Sequence, residues 1–184
     1  MQQSVDGGAF TDVALPSETA TTLTAPLYPD RAHQYRVRAQ DKAGNWSAWA
    51  SGASFALAAV QENSPGVAYP AGKWTMTTLN GAYGGYVKHA SVSGARARFA
   101  FTGDEVAWVS TKGANRGKAE VWLDGVKVAT VDLYSATIQT RQMVFSQGGL
   151  VPTKTHTLEV RVLGTKNAAS SGKRIDVDAF LALR

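Results

Sequence analysis

Two alternating runs meet at Asp124-Gly125. Before the pair, Ala119, Val121 and Leu123 interleave with Glu120 and Trp122; after it, Ala129, Val131 and Leu133 face their partners across the turn. An Asp-Gly pair between period-two patterns is the strongest short-range hairpin signal, because both residues tolerate the positive φ that a tight hairpin turn requires. No stretch repeats its apolar residues at a spacing of 3.6, so no long amphipathic helix is expected. The chain is therefore read as all-β.

Residues beyond about 66 predict nine strands, near Val67–Met76, Tyr86–Ala90, Ala95–Phe101, Val106–Ser110, Lys118–Leu123, Lys127–Leu133, Arg141–Phe145, His156–Leu163 and Arg174–Leu183. Turn signals fall between them at the spacing of a β-sandwich. Before them, Val60-Gln61-Glu62-Asn63-Ser64-Pro65-Gly66 reads as a linker over 59–66. Residues 1–58 predict a turn at Asp6-Gly7-Gly8 and short strands at Phe10–Leu15, Thr19–Leu27 and Ala53–Leu57. His33–Gln40 alternates strictly, with Tyr35, Val37 and Ala39 on one face. The opposite face, with Arg36 and Arg38, reads as solvated.

A hydrophobic content of 44%, with 18% charged residues, excludes wholesale disorder in this 184-residue chain. The net charge of +5 comes from scattered Lys and Arg rather than one basic face, which argues against nucleic-acid binding. The lack of cysteine excludes disulfides, thiol catalysis and Cys-based zinc sites. No run is long and apolar enough to span a membrane. Met1-Gln2-Gln3-Ser4 shows no signal peptide and reads as an artificial or internal start, which leaves room for a secretion signal upstream.

In the first segment, Leu27-x-Pro29, Tyr35-Arg36-Val37-Arg38-Ala39-x-Asp41 and Ala43-Gly44-Asn45-Trp46-Ser47 together resemble the second half of a fibronectin type III domain. The resemblance implies a truncated sandwich whose first three strands are missing, with self-association through the exposed edge as one consequence. It puts His33 where the family carries a corner Tyr, with a ring nitrogen replacing the hydroxyl. Trp46 and Trp108 read as packing residues.

The second segment is similar to the galactose-binding-like jelly-roll modules found beside such domains in secreted bacterial proteins. The resemblance rests on Trp74, Gly84-Gly85, Phe99-x-Phe101-x-Gly103, Val106-x-Trp108, Gly117-x-Ala119-x-Val121, Asp124-Gly125, Val131-Asp132-Leu133-Tyr134-Ser135, Gly164-x-x-Asn167 and Asp176-x-Asp178-Ala179-Phe180. It implies a secreted, antiparallel jelly-roll β-sandwich that recognises polysaccharide or cell-surface glycan. The fold also serves as a spacer or adhesion domain, or as a non-catalytic part of a polysaccharide-active enzyme.

Alternation of strand direction sorts the loops. Loops 111–117, 134–140 and 164–173 fall on one rim, and 77–85, 124–126 and 148–154 on the other. The first rim collects Lys112, Asn115, Arg116, Tyr134, Ser135, Lys166, Asn167 and Ser170: donors and acceptors for sugar hydroxyls around one aromatic ring. A second-choice platform is Trp74, Asn80, Tyr83 and Tyr86. Trp122 points outward, either as a flat binding face or covered by a neighbour.

Catalysis finds little support. His33, His89 and His156 lack metal-ligand spacing, and no Gly-x-Ser-x-Gly elbow occurs. Asp104-Glu105 and the Asp176/Asp178 pair sit in no evident cleft, the latter expected to pair with Arg161 or Arg174. Lys112-Gly113-Ala114-Asn115-Arg116-Gly117-Lys118 fails as a phosphate loop because its glycines are too close and no Ser or Thr follows Lys118. No cofactor is expected, with a structural calcium left open on this fold.

Overall fold

The computed structural model describes all residues from Met1 to Arg184. The chain divides into two compact units, Met1–Ala58 and Ala59–Arg184.

In the first unit, β1 (Gln2–Val5) lies between β2 (Thr11–Asp12) and β3 (Ala32–Val37). The far edge of β3 pairs with β4 (Ala50–Ser51) and with the start of β5 (Phe55–Gln61). Asp6 and Gly7, with φ of 53° and 72°, make the turn that follows β1. Only Ser4, His33 and Ala58 are buried here, so no hydrophobic core exists within the unit. His33 takes the corner: Gln3 Nε2 donates to its Nδ1 at 2.9 Å, and its Nε2 donates to Tyr28 O at 3.2 Å. Its ring stacks on Phe55 at 5.8 Å.

Thr19–Leu27 forms no strand. Its threonines have β-propensity but meet no sheet edge, and propensity without a pairing partner does not make a strand. Trp46 is not a packing residue, since it is 53% exposed. Residues 59–66 are not a free linker: β5 continues to Gln61, and the fully buried Glu62 donates its N–H to Asp178 O at 3.3 Å.

The second unit is an antiparallel jelly-roll sandwich. Its strands are β6 (Val67–Ala71), β7 (Thr75–Thr78), β8 (Tyr86–Ala90), β9 (Arg96–Thr102), β10 (Glu105–Lys112), β11 (Gly117–Leu123), β12 (Val126–Asp132), β13 (Gln139–Gln147), β14 (Thr155–Lys166), β15 (Ile175–Val177) and β16 (Ala179–Leu183). One layer runs β12-β11-β14-β9-β6. The other contains β13-β10-β16 and β15-β8-β7. β10 joins these two parts, because it pairs with β16 as far as Val109 and then bonds to β15 through Ser110 Oγ, which donates to Asp176 O at 2.6 Å. Between the layers lie Phe99, Phe101, Trp108, Leu158, Val160, Ile175 and Phe180, with Phe99 stacked on Phe180 at 5.2 Å.

Two expected strands break for local reasons. Val67–Met76 divides at Gly72, where φ is +77° and a Cβ would come within 2.4 Å of the Ala95 Cβ. Arg174–Leu183 divides at Asp178, whose N–H donates to Val109 O at 3.1 Å as the chain passes from β15 to β16.

The Asp124-Gly125 hairpin forms as its sequence implies, with φ of 51° and 83° and Leu123 opposite Val126. Asp124 also staples the rim it occupies. Its Oδ1 accepts from Thr157 N at 2.8 Å, and its Oδ2 from His156 Nδ1 at 2.8 Å and Lys154 Nζ at 3.1 Å. Partial burial pushes the carboxyl up, but His156, Thr157 and Lys154 outweigh it and hold the pKa at about 2, below the ordinary 3.8. A folded-state pKa below the unfolded one contributes stability above pH 3.8 that disappears as pH falls through 2. Asp124→Asn is therefore expected to be less stable than the parent at neutral pH, with the difference closing between about pH 4 and pH 2. Urea midpoints of both proteins across that range test this.

Candidate functional site

The first rim assembles as its loops were sorted, and backbone bonds hold it. Gly113 N donates to Leu133 O at 3.0 Å, and Ser135 N donates to Gly113 O at 3.2 Å. Ser170 Oγ reaches Arg116 O at 2.7 Å, and Ser171 N reaches Ala114 O at 2.9 Å. Loops 111–117, 134–135 and 167–174 are thus tied into one surface.

Two of the expected contact residues lie beneath that surface. Arg116 is only 4% exposed, and Ser170 is buried. The Arg116 guanidinium meets the fully buried Asp176, with Nε and Nη2 at 2.7 and 2.6 Å from Oδ2. Arg174 Nε takes the other oxygen, Oδ1, at 2.5 Å. Asn115 Oδ1 accepts from Arg116 Nη1. Arg116 and Ser170 therefore support the loops rather than face a ligand. Polar loop character in a sequence does not distinguish a surface donor from one consumed by a distant carboxylate.

The surface itself is organised around Asp132. Its Oδ1 accepts from Tyr134 N at 3.0 Å, and its Oδ2 accepts from Asn167 Nδ2 at 2.9 Å. Burial pushes this carboxyl up, but Asn167, the Tyr134 N–H, Lys118 and Lys112 prevail and keep it below the ordinary carboxylate value. Beside it opens a groove of about 250 Å³ lined by Lys112, Val131, Asp132, Gln139, Gln142 and Met143, with Val144 completing the wall. Asp132 and Gln142 lie on strands in the sequence reading as in the structure, while Gln139 belonged to the expected loop 134–140 and begins β13 instead. The available signal was the run Gln139-Thr140-Arg141-Gln142 at the start of an edge strand.

The second-choice residues do not assemble. Thr78 pairs with Tyr86 and Thr75 with His89, so Trp74 sits at the opposite end of the β7-β8 ladder from Tyr86. Trp74 packs on Tyr69 at 5.1 Å and donates to Ala71 O. Tyr83 donates its N–H to Asp178 Oδ1 at 2.9 Å, while Asn80 and Tyr86 are exposed. Loop 77–85 is also not on the Asp124 rim. Gly81 packs on Thr140, and Arg141 Nη2 donates to Ala82 O at 3.3 Å, near the Lys112 end of β13. Alternation misplaces this loop because the β7-β8 hairpin extends the layer sideways beyond β15. Trp122 is covered by the Arg161 guanidinium at 3.7 Å, and its Nε1 donates to Glu120 Oε2.

A separate acidic pair lies inside the unit. Glu62 and Asp178 are both fully buried, and both Glu62 carboxylate oxygens and Asp178 Oδ2 lack hydrogen-bond partners. Burial raises Glu62 and takes Asp178 to about 6, the latter against the Tyr83 N–H bond and with help from Glu62. Lys88 acts on Glu62 and Arg141 on Asp178, each drawing the carboxyl back towards its charged form without overcoming burial.

No protein-family model matches this chain. It is 30% identical over 89 residues, 48% of its length, to the A type blood N-acetyl-alpha-D-galactosamine deacetylase of Flavonifractor plautii, and spans 11% of that enzyme. In structure it resembles a Paenibacillus xanthan lyase, with a TM-score of 0.52, 18% identity, and coverage of 67% of this chain and 13% of the lyase. It also resembles a two-domain esterase active on acetylated mannans, co-crystallised with mannopentaose. There the TM-score is 0.50 with 14% identity, over 69% of this chain and 36% of the esterase. The two structural likenesses establish the β-sandwich fold, and the chain spans only a small part of each of these proteins.

Removing Arg116 leaves Asp176 buried with only Arg174 beside it. Breaking a buried ion pair from one side costs about 3–5 kcal/mol. Arg116→Ala is expected to lower unfolding stability by that order, measured by denaturant titration. Lys112→Ala, in the groove wall, is expected to stay within about 0.5 kcal/mol of the parent.

Proposed function

We propose that the second unit is a non-catalytic glycan-binding module of a secreted protein. The observation that carries this reading is the groove beside Asp132. It offers a carboxylate, two side-chain amides and an ammonium within one concavity, and the half-buried Tyr134 adjoins it. Sugar hydroxyls are both donors and acceptors, so they are matched by such a mixture, while an aromatic ring packs on an apolar sugar face. The names of the similar proteins, which concern xanthan, acetylated mannan and a blood-group sugar, support a glycan ligand. The small share of those proteins that the chain spans supports an accessory role beside a catalytic domain. The absence of helices long and apolar enough to cross a membrane is compatible with this reading.

A glycan array with the whole chain tests the proposal. Binding of at least one polysaccharide class is expected, and Tyr134→Ala and Gln142→Ala should each weaken it by about tenfold, equivalent to about 1.4 kcal/mol. Unchanged binding in both variants would move the ligand elsewhere. No binding at all would favour a structural or adhesive spacer.

We further propose that Glu62 and Asp178 hold a structural calcium ion. Calcium should then raise the melting temperature of the parent over that in a chelator, by mass action on the folded state. Glu62→Gln should lose that response. A parent whose melting is the same in calcium and chelator would leave the pair neutralised by protons instead.

A further inference from the structure

In the first unit, Arg36 is half-buried and Arg38 exposed, and both guanidiniums lie over aromatic rings. Arg36 Cζ lies 4.0 Å from the Phe10 ring centroid and 4.4 Å from that of Trp49. Arg38 Cζ lies 4.5 Å from Trp49 and 4.3 Å from Trp46. The five side chains make one stack in the order Phe10, Arg36, Trp49, Arg38, Trp46. Arg36, on β3, and Arg38, one residue past its end, share the Trp49 ring. The Trp46–Trp49 segment is fastened opposite them, where Ser47 N donates to Ala39 O at 2.9 Å and Ala39 N donates to Ser47 Oγ at 3.0 Å.

Neither guanidinium has a carboxylate partner. Arg36 spends Nε and Nη2 on Gln2 Oε1, at 2.9 and 2.6 Å. Asp41, the acidic residue nearest Arg38 in sequence, turns both oxygens to its own loop, accepting from Ala43 N, Asn45 N and Asn45 Nδ2. Arg38 is exposed and in no ion pair, and Trp46 ends the stack with 53% of its surface open. The unit's overall charge does not account for this local cation. Arg31, Arg36, Arg38 and Lys42 face Asp6, Asp12, Glu18, Asp30 and Asp41, four against five, giving −1.

We infer that the open end of this stack, Arg38 with Trp46, binds a carboxylate-bearing polysaccharide. The stack immobilises the guanidinium between two rings, so little side-chain freedom is lost when its N–H groups meet a carboxylate. The exposed indole offers the adjoining apolar surface of a sugar ring a place to pack. Charge selects a uronic acid, and the aromatic face selects a sugar over a small anion. This site is independent of the groove beside Asp132.

Affinity electrophoresis of the whole chain tests it, with polygalacturonate in the gel and the fully methyl-esterified polymer as the uncharged control. Retardation is expected in polygalacturonate only, weakened by about tenfold in Trp46→Ala and in Arg38→Ala. Arg38→Lys, which keeps the charge but loses the planar fork, should recover only part of the affinity. Tyr134→Ala should leave retardation unchanged, which separates this site from the groove. Circular dichroism checks that each variant folds, and Trp46→Ala, at the exposed end, carries the test if Arg38→Ala does not. Equal retardation in the esterified polymer, equal retardation by single-stranded DNA, or unchanged binding in Trp46→Ala and Arg38→Lys would each overturn the inference.

Discussion

A single buried carboxylate governs where the candidate rim stands. Asp176, on β15, is held between Arg116 of the β10-β11 loop and Arg174 of the preceding loop. A charge sealed from water at this depth is tolerable only with both oxygens met by cations, so neither guanidinium is free to turn outward. The loop that carries Arg116 is thereby fixed against β15, and Asn115, Tyr134 and Asn167 take their places around it. An ion pair of this kind contributes little net stability compared with apolar packing, but it does specify geometry. The exposed polar residues can vary while the surface that presents them stays in place.

The two units are held together internally by different physics. The second buries Phe99, Trp108, Leu158 and Phe180 between two layers, the usual hydrophobic solution for a sandwich. The first has no such interior. Its ring-bearing side chains instead stack around His33 and against Arg36 and Arg38. Stacking of a guanidinium on a ring is worth about 0.5–1 kcal/mol at exposed sites, far less than burying a large side chain. The surface of such a unit retains aromatic faces and unpaired charge that a complete core would have consumed. That is the reason a recognition site can exist there at all.

The layered β architecture was largely legible, because period-two alternation and a two-residue turn are local signals. Asp124-Gly125 announced its hairpin, and Tyr86–Ala90 was delimited as the structure has it. What was not legible depends on partners far along the chain. Lys112, Asn115 and Arg116 look equivalent in sequence; Asp176, 60 residues away, buries one of them. Arg36 and Arg38 alternate as a solvated face would; Arg38 is exposed as that implies, while Phe10 and Trp49 cover Arg36. Thr19–Leu27 shows the opposite failure, a run with strand propensity and no edge to receive it. In the groove, Gln142 comes from an edge strand, which presents side chains to solvent as a loop does, and an alternating strand pattern does not mark such a residue as part of a site.

The acidic pair connects the sandwich's architecture to its chemistry. Asp178 stands where the chain changes from β15 to β16, and its backbone is fully committed: the N–H goes to Val109 O and the carbonyl accepts from Glu62 N. The side chain therefore has no freedom to leave the interior, and Glu62 is held beside it by the same bond. Two carboxyls so placed cannot both ionise alone, since burial and mutual repulsion each raise the cost of the second charge. Lys88 and Arg141 offset part of that cost. Tyr83 N donates to Asp178 Oδ1, which ties loop 77–85 to the pair. That loop in turn packs against Thr140 and Arg141, next to Gln139 and Gln142 of the groove. A continuous path of contacts thus runs from the buried pair to the edge strand that lines the groove.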